Sequence, residues 1–291
     1  MNHPFDLLKS NLLDLLYELR DADMRLLVGG GYGLYLKRQH LQALGSRSLL
    51  SFIPEVRSTN DLDMFLTTDV MVDLPRAKAV LEAVKRLEFV AIKDRENFQF
   101  IKTFSMGQQS FEVKIDFLTK MPDDPIALRA LDIQNKRVRN KKSGGIHGHL
   151  TVEAIAVEDN PVPVVLEGLR TTGEEFGGQV YLPQAYSYLI MKLFAFRDWE
   201  TKKQNTDYSR KHALDIYSIV AMLTEEELTA AGQASRTYQQ RTEAREAANI
   251  VNEFFSKSTA MGDIRLREHP SFNYNADTTE FTSVLIELFP L

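Results

Sequence analysis

The chain contains no cysteine. Disulfides, thiolate metal sites and a cysteine nucleophile are thereby excluded. It also lacks any apolar run approaching the roughly 20 residues that a membrane-spanning helix needs. The N-terminal stretch MNHPFDLLKSNLLDLLYELRD is amphipathic with charges throughout, so it does not read as a signal peptide. A soluble, cytoplasmic protein is expected. Charge of one sign is not in large excess: 35 Lys and Arg stand against 40 Asp and Glu, a formal net charge of -5. Any contact with nucleic acid must therefore come from a local basic patch. Internal repeats and low-complexity tracts are absent as well. What remains is an ordinary globular composition, 44% hydrophobic and 26% charged over 291 residues, enough for two domains or one large one.

Periodicity organises the chain. Leucines 7, 8, 12, 15, 16 and 19 predict an amphipathic helix over 5–21. MRLLVGGG reads as a short buried strand, 24–29, running into glycines and a second helix, GYGLYLKRQHLQAL. After the segment GSRSLLSFIPEVRSTN comes the strand DLDMFLTT. LPRAKAVLEAVKRL is a helix with proline in its first turn, and FVAI, FQFIKTF and FEVKIDFLT follow as strands. Between 121 and 180 the pattern is less regular, with LTVEAIAV, VPVVLEGL and GQVYLP as short strands. From Pro183 onward four helical stretches follow. The fold class expected is α/β, a mixed sheet over residues 1–180 followed by a mainly helical domain over 181–291.

Three features carry chemistry. The junction Val28-Gly29-Gly30-Gly31 opens a helix, where backbone N–H groups can approach phosphate oxygens without side-chain clash; as a bland alternative it is a tight turn. Asp61 and Asp63 begin a strand two residues apart, so they share a face with Cα atoms about 6.5–7 Å apart. Carboxylates that close repel unless a cation, a shared proton or water intervenes. Asp116 stands on a later strand, on the face of Lys114 and Leu118. It either lies exposed, pairs with Lys114, or joins Asp61 and Asp63 as an oxygen ligand for Mg²⁺ bridging nucleotide phosphates.

Gly-Gly opening a helix, Asp-x-Asp on the next strand and a lone strand Asp resemble the polymerase-β-like nucleotidyltransferases. More narrowly, GGYGLYL (30–36), RSTNDLD (57–63) and LIMKLFAFRD with RKHALDIY resemble the AbiEii family, the toxins of bacterial abortive-infection (type IV) toxin–antitoxin pairs. The resemblance spans roughly residues 24–220. It implies a nucleotidyltransferase that moves a nucleoside monophosphate from an NTP to a hydroxyl, with Mg²⁺ or Mn²⁺ as cofactor. It further implies the 3′ end of a tRNA as acceptor and a cognate antitoxin as partner. By the same resemblance Gly30 and Gly31 hold the triphosphate, and Asp61, Asp63 and Asp116 the metal. Arg57 and Thr59 buttress the Asp-x-Asp strand and the nucleotide site, Lys192 contacts the phosphates, and Asp215 is the acid of the last motif. The sequence departs from the family in three places. Gly33 and Ala213 replace an alanine and an aspartate, and the longer segment 44–56 reads as an inserted lid or partner surface.

Each residue also has a plainer reading. Lys192 lies on the apolar stripe with Leu189, Leu193 and Phe196, so it either snorkels or aims at an anion. Asp215 would form an i,i+4 pair with Lys211, worth a few tenths of a kcal/mol. The run KRVRNKK (136–142) holds five positive charges, and Lys202, Lys203, Arg210 and Lys211 form a second cluster. Both are either solvated faces or docking points for a phosphate backbone. His147 and His149 read as a surface pair flanking a turn or as same-face metal ligands. SFNYNADTTEF (271–281) shows no site pattern. Two other readings stand beside the first: a small-molecule nucleotidyltransferase of the aminoglycoside-modifying kind, and a nucleotide-binding interaction module without catalysis.

Overall fold

In the computed structural model, which describes residues 4–57, 59–106, 109–202 and 205–291, the leucine spacing of the N-terminus forms helix α1 (Pro4–Glu18). The buried LV of β1 (Leu27–Val28) then runs into α2 (Gly30–Leu44). The Asp-x-Asp strand is β2 (Asp61–Phe65). It ends three residues early, because 68–72 turn into a short helix, α3 (Thr68–Val72), whose backbone closes on the carbonyl of Thr67. α4 (Leu74–Arg86) starts on Asp73, whose carboxylate accepts the Arg76 N–H at 3.0 Å, a side-chain cap.

Strands β3 (Val90–Ala91), β4 (Gln99–Met106) and β5 (Gln109–Thr119) follow, then α5 (Pro125–Ala130), β6 (Leu131–Gln134) and β7 (Arg137–Asn140). β8 (Gly148–Leu150), β9 (Val162–Leu169) and β10 (Glu175–Leu182) complete the sheet. Among the described residues it has ten strands. Their order is β6-β7-β8-β5-β2-β1-β10-β9, with β4 on β5 and β3 on β4. β1 with β10, β2 with β5 and β5 with β8 are parallel; the remaining pairs are antiparallel. The sheet is thus mixed, as the alternation of helices and strands predicts. The basic run is not an open turn. It is the second strand of a hairpin whose corner residues, Asn135 and Lys136, take positive φ of 50° and 59°, as a tight hairpin turn requires.

LTVEAIAV is not a strand beyond Leu150. Ala156 and Asn160 adopt positive φ, and the chain turns there while Ala154, Ile155 and Val157 stay buried. A short apolar run cannot by periodicity distinguish a strand from a buried turn. The C-terminal helices are α6 (Ala185–Lys202), α7 (Thr206–Ala221), α8 (Glu225–Tyr238), α9 (Thr242–Phe254), α10 (Met261–Arg267) and α11 (Thr279–Leu288). Among the described residues no helix is long and apolar enough to cross a membrane.

The chain forms two compact units: residues 1–33, 58–152 and 161–182, and residues 34–57, 153–160 and 183–291. In the first, α1 lays its leucines on β9 and β10, and the buried Arg170 guanidinium reaches the Asp14 carboxylate at 3.0 Å. In the second, Leu189, Leu193, Phe196, Leu214, Tyr217 and Leu285 meet in one core. The segment expected as a lid belongs to that core. Leu50 is buried in it, Phe52 and Ile53 pack against it, and the Leu49 N–H donates to the Leu223 carbonyl at 2.7 Å.

Candidate active site

The first unit gathers the carboxylates by strand register. β2 and β5 are parallel, and Asp63 stands directly opposite Asp116, with Asp61 opposite Lys114. Leu62 and Met64 are buried beneath while Asp61 and Asp63 keep partial exposure, so the alternation read from DLDMF holds. Asp61 is set at the strand's start by Thr59, whose hydroxyl accepts the Asp61 N–H at 3.2 Å.

The glycine junction meets the same residue from the other side. β1 is antiparallel to β2, and the Gly29 N–H donates to the Asp63 carbonyl at 2.8 Å. Gly30 then takes φ +61°, and a Cβ placed on it would fall 1.7 Å from Asp63 Oδ2. Both the left-handed backbone and the lack of space demand glycine. The Asp63 carboxylate therefore lies against the first residue of α2, where the amide groups of a helix start are found. Gly31 follows, buried, in the first turn of α2.

Asp116 is neither an exposed strand residue nor a partner of Lys114. Burial first, then the charges of Asp63 and Asp61, raise its carboxyl to about 7, against the pull of a Gln99 hydrogen bond and of Arg95. Gln99 is its register partner on β4, and the Arg95 guanidinium donates to the Gln99 Oε1 at 2.6 Å. Sequence reading passed over Gln99; its signal is a single amide in FQFIKTF at the strand's start. Among the described residues no three acidic, histidine or cysteine side chains form a preformed cation cage. The donor set nevertheless suits a hard divalent cation, which takes one or two carboxylates and completes its shell with water and substrate phosphates.

A stability test follows from the raised Asp116 carboxyl. An acid whose folded pKa lies above its unfolded value contributes stability below the unfolded value, near 4, and loses it as pH rises toward 7. In chelator, Asp116→Asn should therefore be more stable than wild type at pH 8, by on the order of 3 kcal/mol. That gain should vanish at pH 4. Urea denaturation at the two values checks it; an equal effect at both would mean the carboxyl is not raised.

The two histidines are not a surface pair. Both are half-buried on or beside β8. Burial, then Arg137 and Arg139, lower His147 to about 4. The His149 ring stacks on Phe98 with centroids 5.8 Å apart, and the Arg137 guanidinium lies 4.9 Å over the same ring. Much of the basic run is engaged internally: Arg139 binds Asp132 at 2.8 and 2.9 Å, and the Lys141 ammonium donates to the Arg129 carbonyl at 2.6 Å.

The second unit holds a separate charged cluster. Asp215, 2% exposed, accepts from Lys192 Nζ at 2.7 Å and from Arg57 Nε and Nη2 at 3.3 and 3.2 Å. Burial alone would raise its carboxyl, but Lys192 and Arg57 outweigh that and hold it well below the usual carboxylate range. Lys192 is itself buried, so it does not snorkel. Arg57, expected to buttress the Asp-x-Asp strand, donates to Asp215 through its guanidinium. The helical neighbour Lys211 lies 5.0 Å over the Tyr208 ring instead. One turn before Asp215 sits His212, which the sequence reading did not single out. Its Nδ1 is buried without a hydrogen-bond partner, and burial, then Lys192, lower its pKa to about 3. Lys203 of the second basic cluster and Ser58 of RSTNDLD lie outside the described residues.

No family model matches the chain, and no curated protein matches it. Among solved structures, the solution structure of the antibiotic-resistance factor ANT(2'')-Ia is similar at a TM-score of 0.37 and 10% sequence identity, covering 83% of this chain and 97% of that one.

Proposed function

We propose that this protein is a divalent-metal-dependent nucleotidyltransferase, moving a nucleoside monophosphate from an NTP to a hydroxyl with release of pyrophosphate. One observation carries the reading: Asp61, Asp63 and Asp116 share one face of the sheet, with Asp63 pressed against the glycine that opens α2. Asp61, Asp63 and Asp116 are the residues that would hold Mg²⁺ or Mn²⁺. Such an ion offsets triphosphate charge and supports in-line displacement. Gly30 and Gly31 open α2 without side chains, and by the resemblance the backbone of that first turn is assigned to the triphosphate. Asp116, across the register from Asp63, is the carboxylate assigned to take the proton of the acceptor hydroxyl. Thr59 holds the start of β2. The resemblance assigns Lys192 to phosphate contact; within the second unit Asp215 holds its ammonium.

The resemblance to AbiEii toxins supports a tRNA 3′ hydroxyl as acceptor, a cognate antitoxin as partner and the cytoplasm as the place of action. One observation favours a small-molecule acceptor as second reading. A cavity of about 560 Å³ is lined by Thr59 and Asn60, which lead into Asp61, and by Ser110 to Val113 of β5 over Leu7 and Leu8. That is the size of a small-ligand site, and among the described residues its lining carries one charge, that of Glu112, which suits a cationic acceptor.

The two acceptors separate in one experiment. The protein is incubated with each α-labelled NTP and Mg²⁺, in parallel with total tRNA and with a panel of aminoglycosides. Label made acid-insoluble with tRNA supports the first reading. Label moved to the soluble aminoglycoside supports the second. No transfer from any NTP to either acceptor would contradict the proposed function.

A further inference from the structure

Near the junction of α6 and α7 the second unit displays two aromatic rings that its core does not use. Trp199 and Tyr208 stack with centroids 4.2 Å apart and planes 19° from parallel. Tyr208 is 40% exposed. The Lys202 ammonium lies 5.5 Å from the Trp199 ring, and that of Lys211 lies 5.0 Å from the Tyr208 ring. The arginines of this neighbourhood are paired with acids: Arg197 with Asp198 and Glu246, Arg210 with Asp207 and Glu268, Arg265 with Glu200 and Glu268. Among the described residues Lys202 and Lys211 have no carboxylate within ion-pair distance; they rest on aromatic faces. The patch thus offers planar stacking surfaces and two uncommitted cations in one place.

That combination binds single-stranded nucleic acid, in which bases stack on aromatic rings and phosphates take the lysines. We propose that Trp199, Tyr208, Lys202 and Lys211 form a docking site for a single-stranded segment of RNA. The proposal rests on the RNA-acceptor reading for its biological meaning, but its test does not need catalysis.

Trp199 is the single tryptophan of the chain, so its fluorescence reports this site alone. Titrating the full-length protein with a short single-stranded oligoribonucleotide, without Mg²⁺ or NTP, should quench it saturably. The binding constant should fall with salt at a log–log slope of about -1.4 for two phosphates on single strands. Lys202→Gln with Lys211→Gln should weaken binding on the order of ten-fold and flatten that slope, while full quenching is still reached at high ligand concentration. Tyr208→Leu should weaken binding by a similar factor, read by anisotropy of a labelled oligonucleotide. Should that variant lose its fold, the two-lysine variant decides alone.

The alternative is a purely structural clamp between the two helices. It predicts a lower melting temperature in the variants with oligonucleotide affinity and salt slope unchanged. That result, or no quenching in wild type, would overturn the proposal. Equal quenching by a mononucleotide would also overturn it, in favour of a nucleotide site. Asp63→Asn should bind the oligonucleotide as wild type does while transferring nothing. Binding without transfer to RNA would sink the acceptor reading and leave the docking site standing.

Discussion

Asp63→Asn and Asp61→Asn should each lower nucleotidyl transfer by at least about 10²-fold, while the protein stays folded. Loss of groups that merely orient metal ligands already costs 10–100-fold, and these substitutions remove proposed ligands themselves. Asparagine keeps the size and hydrogen-bonding reach of aspartate, so packing above Leu62 and Met64 is undisturbed. Asp63 should show the larger effect, because it faces Asp116 across the register and touches Gly30. Its loss should also draw the Asp116 carboxyl back toward the ordinary range, since the Asp63 charge is second only to burial in raising it. Gly30→Ala should be as damaging by another route. A Cβ would enter the space of the Asp63 carboxylate, and alanine disfavours the positive φ found there. Rates with α-labelled NTP, measured beside circular dichroism spectra, check all three. Full activity in either asparagine variant would remove the metal-site reading.

Asp215→Ala should destabilise the second unit by roughly 3–5 kcal/mol, the cost of leaving a buried charge uncompensated. Here the buried Lys192 ammonium and the Arg57 guanidinium share the Asp215 carboxylate. Lys192→Met should cost less, because Arg57 still compensates Asp215. The effect should depend on pH with a definite sign. A carboxyl whose folded pKa is depressed contributes stability above its unfolded value near 4, and that contribution is lost as pH falls toward the folded value. The gap between wild type and Asp215→Asn should therefore be widest at pH 7 and narrow below pH 4. Urea unfolding followed by Trp199 fluorescence reports this unit directly. A gap constant with pH would mean that the pair is not ionised as the geometry requires.

The long periodic elements were legible in the sequence: the leucines of α1, the amphipathic α4 and the alternation in β5. So was the Asp-x-Asp face, because a two-residue period fixes sidedness without tertiary knowledge. Asp116 was legible as an acid on the right strand, but not its register. That depends on β2 and β5 aligning in parallel across two intervening helices and two strands. The pairing of Arg57 with Asp215 lay beyond reach, since the two are 158 positions apart and spacing says nothing about contacts of that range. Short helices were also missed. α3 and α5 are five and six residues long, less than two turns, too short to show a period of 3.6. α11 does carry the spacing Phe281, Val284, Leu285, Leu288, but the polar stretch before it reads as loop. The 44–56 segment was misread as a lid because its apolar residues lack any period; they fill the helical core one by one.

The central claim is that the carboxylates of β2 and β5 serve nucleotidyl rather than phosphoryl transfer. It is tested most directly with one NTP labelled separately on its α- and γ-phosphates, with Mg²⁺ and the acceptor that accumulates label. The account predicts that α-label passes to the acceptor and γ-label leaves as pyrophosphate, both abolished in Asp63→Asn. Transfer of the γ-label to the acceptor, or α-label transfer that persists in Asp63→Asn, would contradict it.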